Sequence, residues 1–468
     1  MPERIPVIAI FDIGKTNKKI LLFNEDYKIV FEQSTQFEEC IDEDGDPCDD
    51  IIRIRNWALD FLYVVCASDE FDLRAVNVSA YGASFVHIDS EGNLLTPLYN
   101  YLKSYPEDLK KMFYQKYGDE QTFAKQTASP ILGSLNSGLQ LYRLKHKRPE
   151  IFKHTKYSLH LPQYLIWLFT KQAYADLTSI GCHTGLWDFE KQNYHQWVFA
   201  EKIHAKFPSI IPSDQILQTA VNNKQIIFGS GLHDSSAALI PYMSCFNDPF
   251  ILISTGTWCI SLNPFNHESL TIDELNNDCL CYISYKGVPV KASRLFAGYE
   301  HEKQTQFLSE YYQVHHDYYK TVKFDSQIIA RIYKSQLALK SSATAHQKES
   351  TSFSDFVRCD LSSFKNYTEA YHNLIFDIVR KQIHSTRLII TKSNNIKRIF
   401  VDGGFSNNEI YMNLLADAFP ELDVFGASIP QASALGSALS IHHHWNSKSI
   451  SHSMIQLKQY GIKHHHKL

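Results

Sequence analysis

The sequence has no paired-cysteine motif, no long apolar run and no excess of charge of one sign, and each absence narrows what the chain can be. Nine cysteines are scattered with no Cys-x-x-Cys anywhere. The closest pair, Cys279 and Cys281, alternates along a predicted strand and so points to opposite faces, which suits neither a disulfide nor a zinc knuckle. Reduced, mostly buried thiols of a cytoplasmic protein are expected instead. The longest purely apolar run, Phe61–Ala67, falls far short of the roughly 20 residues that span a bilayer. Val7–Phe11 is apolar, but Asp12 ends it and no small-residue cleavage site follows, so it reads as a first strand rather than a signal peptide. A formal net charge of −4 leaves no global attraction to nucleic acid or anionic lipid. Neither partner is expected, and any phosphate must be held locally by loops and single lysines.

What is present is ordinary globular material in quantity. Hydrophobic residues at 44% and charged residues at 21% support sizeable cores, and 468 residues suit two domains. Histidine is plentiful, with triplets at His442–His444 and His464–His466. Three adjacent histidines on a helix point around its circumference and cannot all reach one ion, so no metal is assigned to them.

The opening predicts an antiparallel meander: apolar Val7–Phe11, a turn over DIGKTNKK, apolar Ile20–Phe23, a turn at Asn24–Asp26, and a third strand from Lys28. A helix capped by Asp49 or Asp50 follows, with Ile51, Ile54, Ala58, Phe61, Leu62 and Val65 on one face. Ala75–Ala80 is a further strand. The second half repeats the opening: Phe250–Ser254, a turn at Thr255–Thr257, and Trp258–Leu262. Later come a short strand ending in Asp402-Gly403-Gly404, helices over Glu409–Phe419 and Gln431–His442, and a strand at Val424–Phe425. Two related α/β domains facing one cleft would explain that repetition, with the boundary near Cys245–Pro249 (residues 1–246 and 247–468). The polar stretch Ser341–Ser354 reads as an exposed loop.

Four stretches carry candidate chemistry. In DIGKTNKK, Gly14 lets backbone N–H groups approach an oxyanion, Thr16 and Asn17 add donors, and Lys15, Lys18 and Lys19 add positive charge. Asp12, at a strand end, could hold magnesium directly or through water. A structural hairpin turn is the alternative. In GSGLHDSSAAL, Asp234 sits where a glycine-rich loop opens into a helix, either as a plain N-cap or as a proton acceptor facing a cleft. STGTW (Ser254–Trp258) offers backbone and hydroxyl donors to a terminal phosphate. In VDGGFSNN, Gly403 and Gly404 between a strand and a helix make a nucleotide shelf or an ordinary turn.

Taken in this order, the four stretches resemble the FGGY carbohydrate kinases, the family of glycerol, xylulose, rhamnulose and fuculose kinases. The resemblance runs from Val7 to about Leu439, with Leu159–Leu165, Asp176–Ser179 and Trp187-Asp188 as further landmarks and ASALGSAL joining VDGGFSNN in the adenosine region. It implies an α/β fold of two RNase H-like domains, of the actin–hexokinase ATPase type, flanking a central cleft. It implies a transferase that uses ATP and Mg2+ to phosphorylate a sugar hydroxyl. Asp234 then matches the general base and Asp12 the aspartate that positions magnesium. Gly14, Thr16, Asn17, Lys19, Thr255, Gly256, Thr257, Gly403, Gly404 and Asn407 match nucleotide positions. Tyr81, Ser84, His87 and His233 are candidate sugar contacts beside Asp234, and the His-Asp pair with ISTGTW looks most like the rhamnulose and fuculose kinases. Three positions depart from the family pattern: Tyr101–Tyr105 lacks an arginine, Gln431 stands for a glutamate, and Asn413 for a glutamine. A base of ordinary carboxylate pKa is expected, ionised at neutral pH. Other acceptors (xylulose, ribulose, glycerol or another polyol), an inactive nucleotide-binding regulator and an actin-like ATPase remain as alternatives. A homodimer is an open assembly.

Overall fold

The computed structural model describes residues 3–342, 356, 359–429 and 431–461. The loop expected at Ser341–Ser354 and the histidines at 464–466 lie, apart from the end of one helix, outside the described residues.

The expected meander forms: β1 (Ile5–Ile13), β2 (Lys18–Asn24) and β3 (Ile29–Thr35) pair antiparallel. β1 is the sheet's central strand, and Val7–Phe11 are wholly buried, which is why they read as an unbroken apolar run. Helix α1 (Ile51–Cys66) follows, with Asp50 rather than Asp49 accepting the N–H groups of Ile52 and Arg53. Its buried face is Ile51, Ile54, Ala58, Leu62 and Val65. β4 (Phe71–Ala80) then pairs parallel with β1 on its other side. β5 (Lys224–Phe228) and the two-residue β6 (Leu232–His233) both pair parallel with β4. β6 leads directly into α2 (Asp234–Cys245).

The second half repeats this plan. β7 (Phe250–Thr255), β8 (Cys259–Asn263) and β9 (Pro289–Leu295) form an antiparallel run. Helix α3 (Ala297–Tyr311) follows. β10 (Arg398–Gly403) pairs parallel with β7, α4 (Glu409–Ala418) crosses back, and β11 (Asp423–Ser428) pairs parallel with β10. Helix α5 (Ala432–Ser440) completes the set. Each sheet thus has three antiparallel strands followed by parallel ones, in spatial order third, second, first, fourth, fifth.

The halves meet through two helices. α2 and α5 cross so closely that a Cβ on Gly436 would lie 1.8 Å from the Ala237 carbonyl oxygen. Pro241, inside α2, has no N–H to offer that carbonyl four residues earlier. Its oxygen is left for the glycine backbone of the other half, an approach that any side chain would block. Around the crossing, Ile8 and Ile10 of the first sheet share one apolar core with Leu239, Leu252, Phe400, Ala434 and Leu435. No described helix is long and apolar enough to cross a membrane.

Candidate active site

Asp12 and Asp234 come from neighbouring strands of the first sheet. Asp12 is the penultimate residue of β1 and lies opposite Ser79 of β4, while His233, just before Asp234, lies opposite Ala80. The register therefore brings both carboxylates to the same sheet edge. Asp234 is the first residue of α2 rather than its cap, which is His233. Its Oδ1 accepts from the Ser235 N–H at 2.6 Å and lies 3.4 Å from His233 Nε2. The Asp234 side chain keeps 35% of its surface exposed, so it is open to a ligand. Burial nevertheless pushes its pKa up to about 6, against the opposing pull of the Ser235 bonds. Asp12 is likewise pushed up to about 6, first by burial and further by the Asp234 charge, with Ser433, Ser79 and Lys19 pulling the other way. Asp234 therefore departs from the ordinary carboxylate pKa expected from sequence.

Ser433 of α5 donates its hydroxyl to the Asp12 carboxylate, 3.1 and 3.0 Å from its two oxygens. This tie between the halves spans 421 positions. The segment containing it, ASALGSAL, therefore packs on Asp12 and α2, whereas the resemblance had grouped it with the adenosine region.

The loop before Asp234 is braced by landmarks of unstated purpose in the sequence. Asp176 is fully buried and accepts from Thr178 N–H at 2.8 Å, Thr178 Oγ1 at 2.5 Å, Ser213 at 2.7 Å and Ser230 at 3.1 Å. Thr178 Oγ1 in turn accepts the His233 N–H at 3.0 Å. Gln163 donates to the Gly231 carbonyl at 2.7 Å, and Gly231 sits at φ +76°, where a Cβ would lie 2.8 Å from the Pro162 carbonyl oxygen. The Asp176–Ser179 and Leu159–Leu165 segments are scaffolding for the Asp234 turn.

The lysines of the first turn are spent differently from expectation. Lys18 is 1% exposed and bonds Asp49 at 3.2 Å and the Lys15 carbonyl at 2.7 Å. Lys15 bonds Asp49 at 2.7 Å and Glu39 at 2.8 Å. Asp49, one of two expected caps, instead collects both lysines and the Tyr81 hydroxyl at 2.8 Å. Lys19 points across to Gln431 Oε1 at 2.8 Å. Gly14 closes the turn by donating to Asn17 O at 2.9 Å, and Thr16 and Asn17 are exposed at its tip. Asn17 Oδ1 also accepts from Gln36.

Among the sugar candidates, His233 alone adjoins Asp234. Tyr81 is buried on Asp49 and packs against Tyr101 with ring centres 5.7 Å apart. Ser84 is buried and donates to the Tyr99 carbonyl, and His87 is buried against Ser158. Both point into protein. Lys103, in the stretch lacking an arginine, is buried against Asp42, Asp44 and Asp46 at 2.5, 2.8 and 3.0 Å. Asn413 bonds the Glu409 carbonyl of its own helix.

In the second half, the Thr255–Thr257 turn and the Gly403-Gly404 turn are locked together. Thr255 Oγ1 donates to Asp402 O at 2.5 Å and accepts the Phe405 N–H at 3.0 Å. That hydroxyl is structural, whereas Gly256 and Thr257 are exposed. Gly403 takes φ +85°, and a Cβ there would lie 1.9 Å from Thr255 O. Gly404 faces open space. It shares a cavity of about 520 Å³ with Gly256, Gly298, His301, Asn407 and Lys323, a size that suits a small ligand. Gly298 escaped the sequence reading. It opens α3 directly beneath the hairpin, where a Cβ would lie 1.7 Å from Gly256 O. Glycine at the start of an otherwise regular helix was its one visible signal. Arg294 connects this hairpin to the cleft: its guanidinium lies 5.1 Å from the Trp258 ring centre, and its charge is felt by Tyr282 and Cys182, as is that of Asp234.

Two halves of one topology, joined by crossing helices and carrying carboxylates on one side and a glycine-lined cavity on the other, define an ATPase fold of the actin–hexokinase type. The sequence profile of the FGGY family of carbohydrate kinases, N-terminal domain, matches residues 7–241, and that of the FGGY C-terminal domain matches residues 247–449. The chain belongs to the FGGY family of carbohydrate kinases. A carbohydrate kinase from Novosphingobium aromaticivorans shares the fold with a TM-score of 0.75 at 20% identity, over 97% of this chain and 96% of that one. Rhamnulokinase of Halalkalibacterium halodurans is 22% identical over 267 residues, covering 53% of this chain and 54% of the relative. L-fuculokinase of Escherichia coli K12 is 23% identical over 275 residues, covering 54% and 55%. The chain thus spans about half the length of the curated relatives it matches.

Proposed function

We propose that this chain transfers the terminal phosphoryl group of ATP to a hydroxyl of a ketose, with Asp234 accepting the hydroxyl proton. The observation that carries the reading is the pairing at one sheet edge of two carboxylates, Asp12, which feels the Asp234 charge, and Asp234, which is open to a ligand. Phosphoryl transfer has a loose transition state, so the protein positions groups and neutralises charge more than it forms bonds. Asp234 orients the sugar hydroxyl and takes its proton as the bond to phosphorus forms. A pKa raised to about 6 suits that role, because such a base is ionised at neutral pH yet strong enough to accept. Asp12, tied to Ser433, would hold Mg2+, which would supply positive charge against that of the phosphates. The tip of the first turn (Gly14, Thr16, Asn17) and the exposed Gly256 and Thr257 offer donors to the phosphates. Gly404 and Asn407 line the nucleoside cavity, and Gly403 positions that turn. Lys19 steadies the first turn through Gln431.

On the sugar side, His233 is the first contact, with Tyr81 forming the wall through Asp49. The boundary between the two functional domains falls at 246/247. Likeness to a rhamnulokinase and an L-fuculokinase favours L-rhamnulose or L-fuculose chemistry as the acceptor class.

The test is ADP release with a panel of ketoses and polyols. A deoxy-ketohexose should give the highest kcat/KM, and Asp234→Asn should lower kcat by several orders of magnitude while ATP binding stays within a few-fold. Turnover near wild type in that variant, or ATP hydrolysis indifferent to every sugar, would sink the proposal.

A further inference from the structure

Beside Asp234, two side chains with no part in the proposed sugar phosphorylation, Cys182 and His183, meet His233. Cys182, His183 and His233 each present one ligand atom, and these atoms all lie within 4.8 Å of one another. All three are buried, at 0%, 9% and 4% exposure. His233 Nε2 lies 3.0 Å from Cys182 Sγ, and its Nδ1 is buried with no partner. One nitrogen of this ring thus meets a thiol, a weak partner, with the Asp234 carboxylate 3.4 Å away, and the other meets nothing. His183 is held at φ +40°, a left-handed backbone unusual for histidine, which turns consecutive side chains towards one spot. Arg294 stands near, but it is already paired with Asp278 at 2.6 Å.

We infer that Cys182, His183 and His233 form a binding site for a thiophilic divalent cation of the zinc class, and that filling it blocks the sugar side of Asp234. One thiolate and two imidazoles are the ligand set of a three-coordinate protein site whose fourth position is left to water or a carboxylate. Zn–S bonds of about 2.3 Å and Zn–N bonds of about 2.0 Å put tetrahedral ligand atoms roughly 3.3–3.7 Å apart, so the Cys182–His233 pair at 3.0 Å must open slightly and the widest separation, within 4.8 Å, must close by about 1 Å. The ion replaces the Cys182 thiol proton, which leaves to solvent, and no electron moves. Asp234 Oδ1, 3.4 Å from His233 Nε2, is within reach of the fourth position. Only the inhibitory half of the inference rests on Asp234 being the base.

Cobalt(II) titration of the full chain separates the two halves. A thiolate-to-cobalt charge-transfer band in the near ultraviolet should grow to one equivalent and be bleached by Zn2+. Cys182→Ser should lose the band, and His183→Asn, which tolerates a left-handed backbone, should weaken cobalt binding at least tenfold, with both variants folded by circular dichroism. Absence of the band, or a full band in Cys182→Ser, overturns the site. The latter result would place the ion on Cys40 and Cys48, whose sulfurs lie 3.2 Å apart. With a sugar that the wild type phosphorylates, Zn2+ should raise the apparent KM for sugar at least tenfold and leave that for ATP unchanged. Equal effects on both overturn the blocking role. If no sugar in the panel is turned over, the kinase reading fails while the cobalt band still decides the site.

Discussion

Asp234 and Asp12 show how far one carboxylate's chemistry depends on its surroundings. Both are pushed up to about 6, chiefly by burial, and Asp12 additionally by its neighbour's charge. The kcat/KM for sugar should therefore level off above pH 7 and fall as pH drops through 6, with a slope steeper than one proton if both groups must be ionised. A profile flat down to pH 5 would contradict this. The same shift has a sign for stability. An acid whose folded pKa is raised holds its proton more tightly in the folded state, so its ionised form costs stability above about pH 6, and that cost disappears below about pH 4. Because the Asp234 side chain is 35% exposed, we discount the cost for solvent to ~1 kcal/mol. Asp234→Asn should then raise Tm by about a degree or two at pH 7.5. The gain should vanish at pH 4 in a scanning-calorimetry series. A lower Tm at pH 7.5 would show that the carboxylate is held for structure.

At the scale of elements, the turns of the second half act through backbone contact. Gly403 and Gly404 are adjacent and chemically identical, yet they differ in what a methyl group would meet. At Gly403 it would lie 1.9 Å from Thr255 O at a φ of +85°; at Gly404 it would meet open space. Gly403→Ala should part the two turns, weaken ATP binding at least tenfold by calorimetric titration and lower Tm by several degrees. Gly404→Ala should leave Tm within about a degree, and any effect on ATP should be direct. Similar Tm losses in both would mean that the turns are not locked together. The Asp176 brace predicts a parallel result in the first half. Asp176→Ala leaves buried hydroxyls of Thr178, Ser213 and Ser230 without their acceptor, a cost of ~3 kcal/mol. Urea denaturation would measure it, and a shift below ~1 kcal/mol would count against the brace.

Across the whole molecule, the proposed phosphoryl transfer would require the two halves to move as units about a fixed contact, since closure on sugar would exclude water as a competing acceptor. The crossing of α2 and α5 at Ala237 and Gly436 is that contact, and Ser433 on the same helix holds Asp12. Gly436→Ala should force the helices apart, lower kcat at least tenfold and abolish the decrease in radius of gyration seen by small-angle X-ray scattering when ATP and sugar are added together. Wild-type compaction in that variant would remove the crossing from the mechanism.

The sequence by itself determined the strands, the order of the turns and the duplicated plan. Apolar runs, turn residues and helical spacing are local, and they describe burial and backbone angles within a few residues. It offered Asp12 and Asp234 only as candidates beside a structural turn and a plain N-cap, and their roles came from the resemblance of the four ordered stretches to the FGGY family. Only the tertiary structure decided where each polar group spends its bonds. Lys15 and Lys18 go to Asp49 rather than to a phosphate, the Thr255 hydroxyl goes to Asp402 and Phe405, and Ser433 reaches Asp12 across 421 positions. The pKa of Asp234 and the meeting of Cys182, His183 and His233 belong to the same class. Desolvation and long-range partners arise from what the folded chain brings together in space, and no window of neighbouring residues contains them.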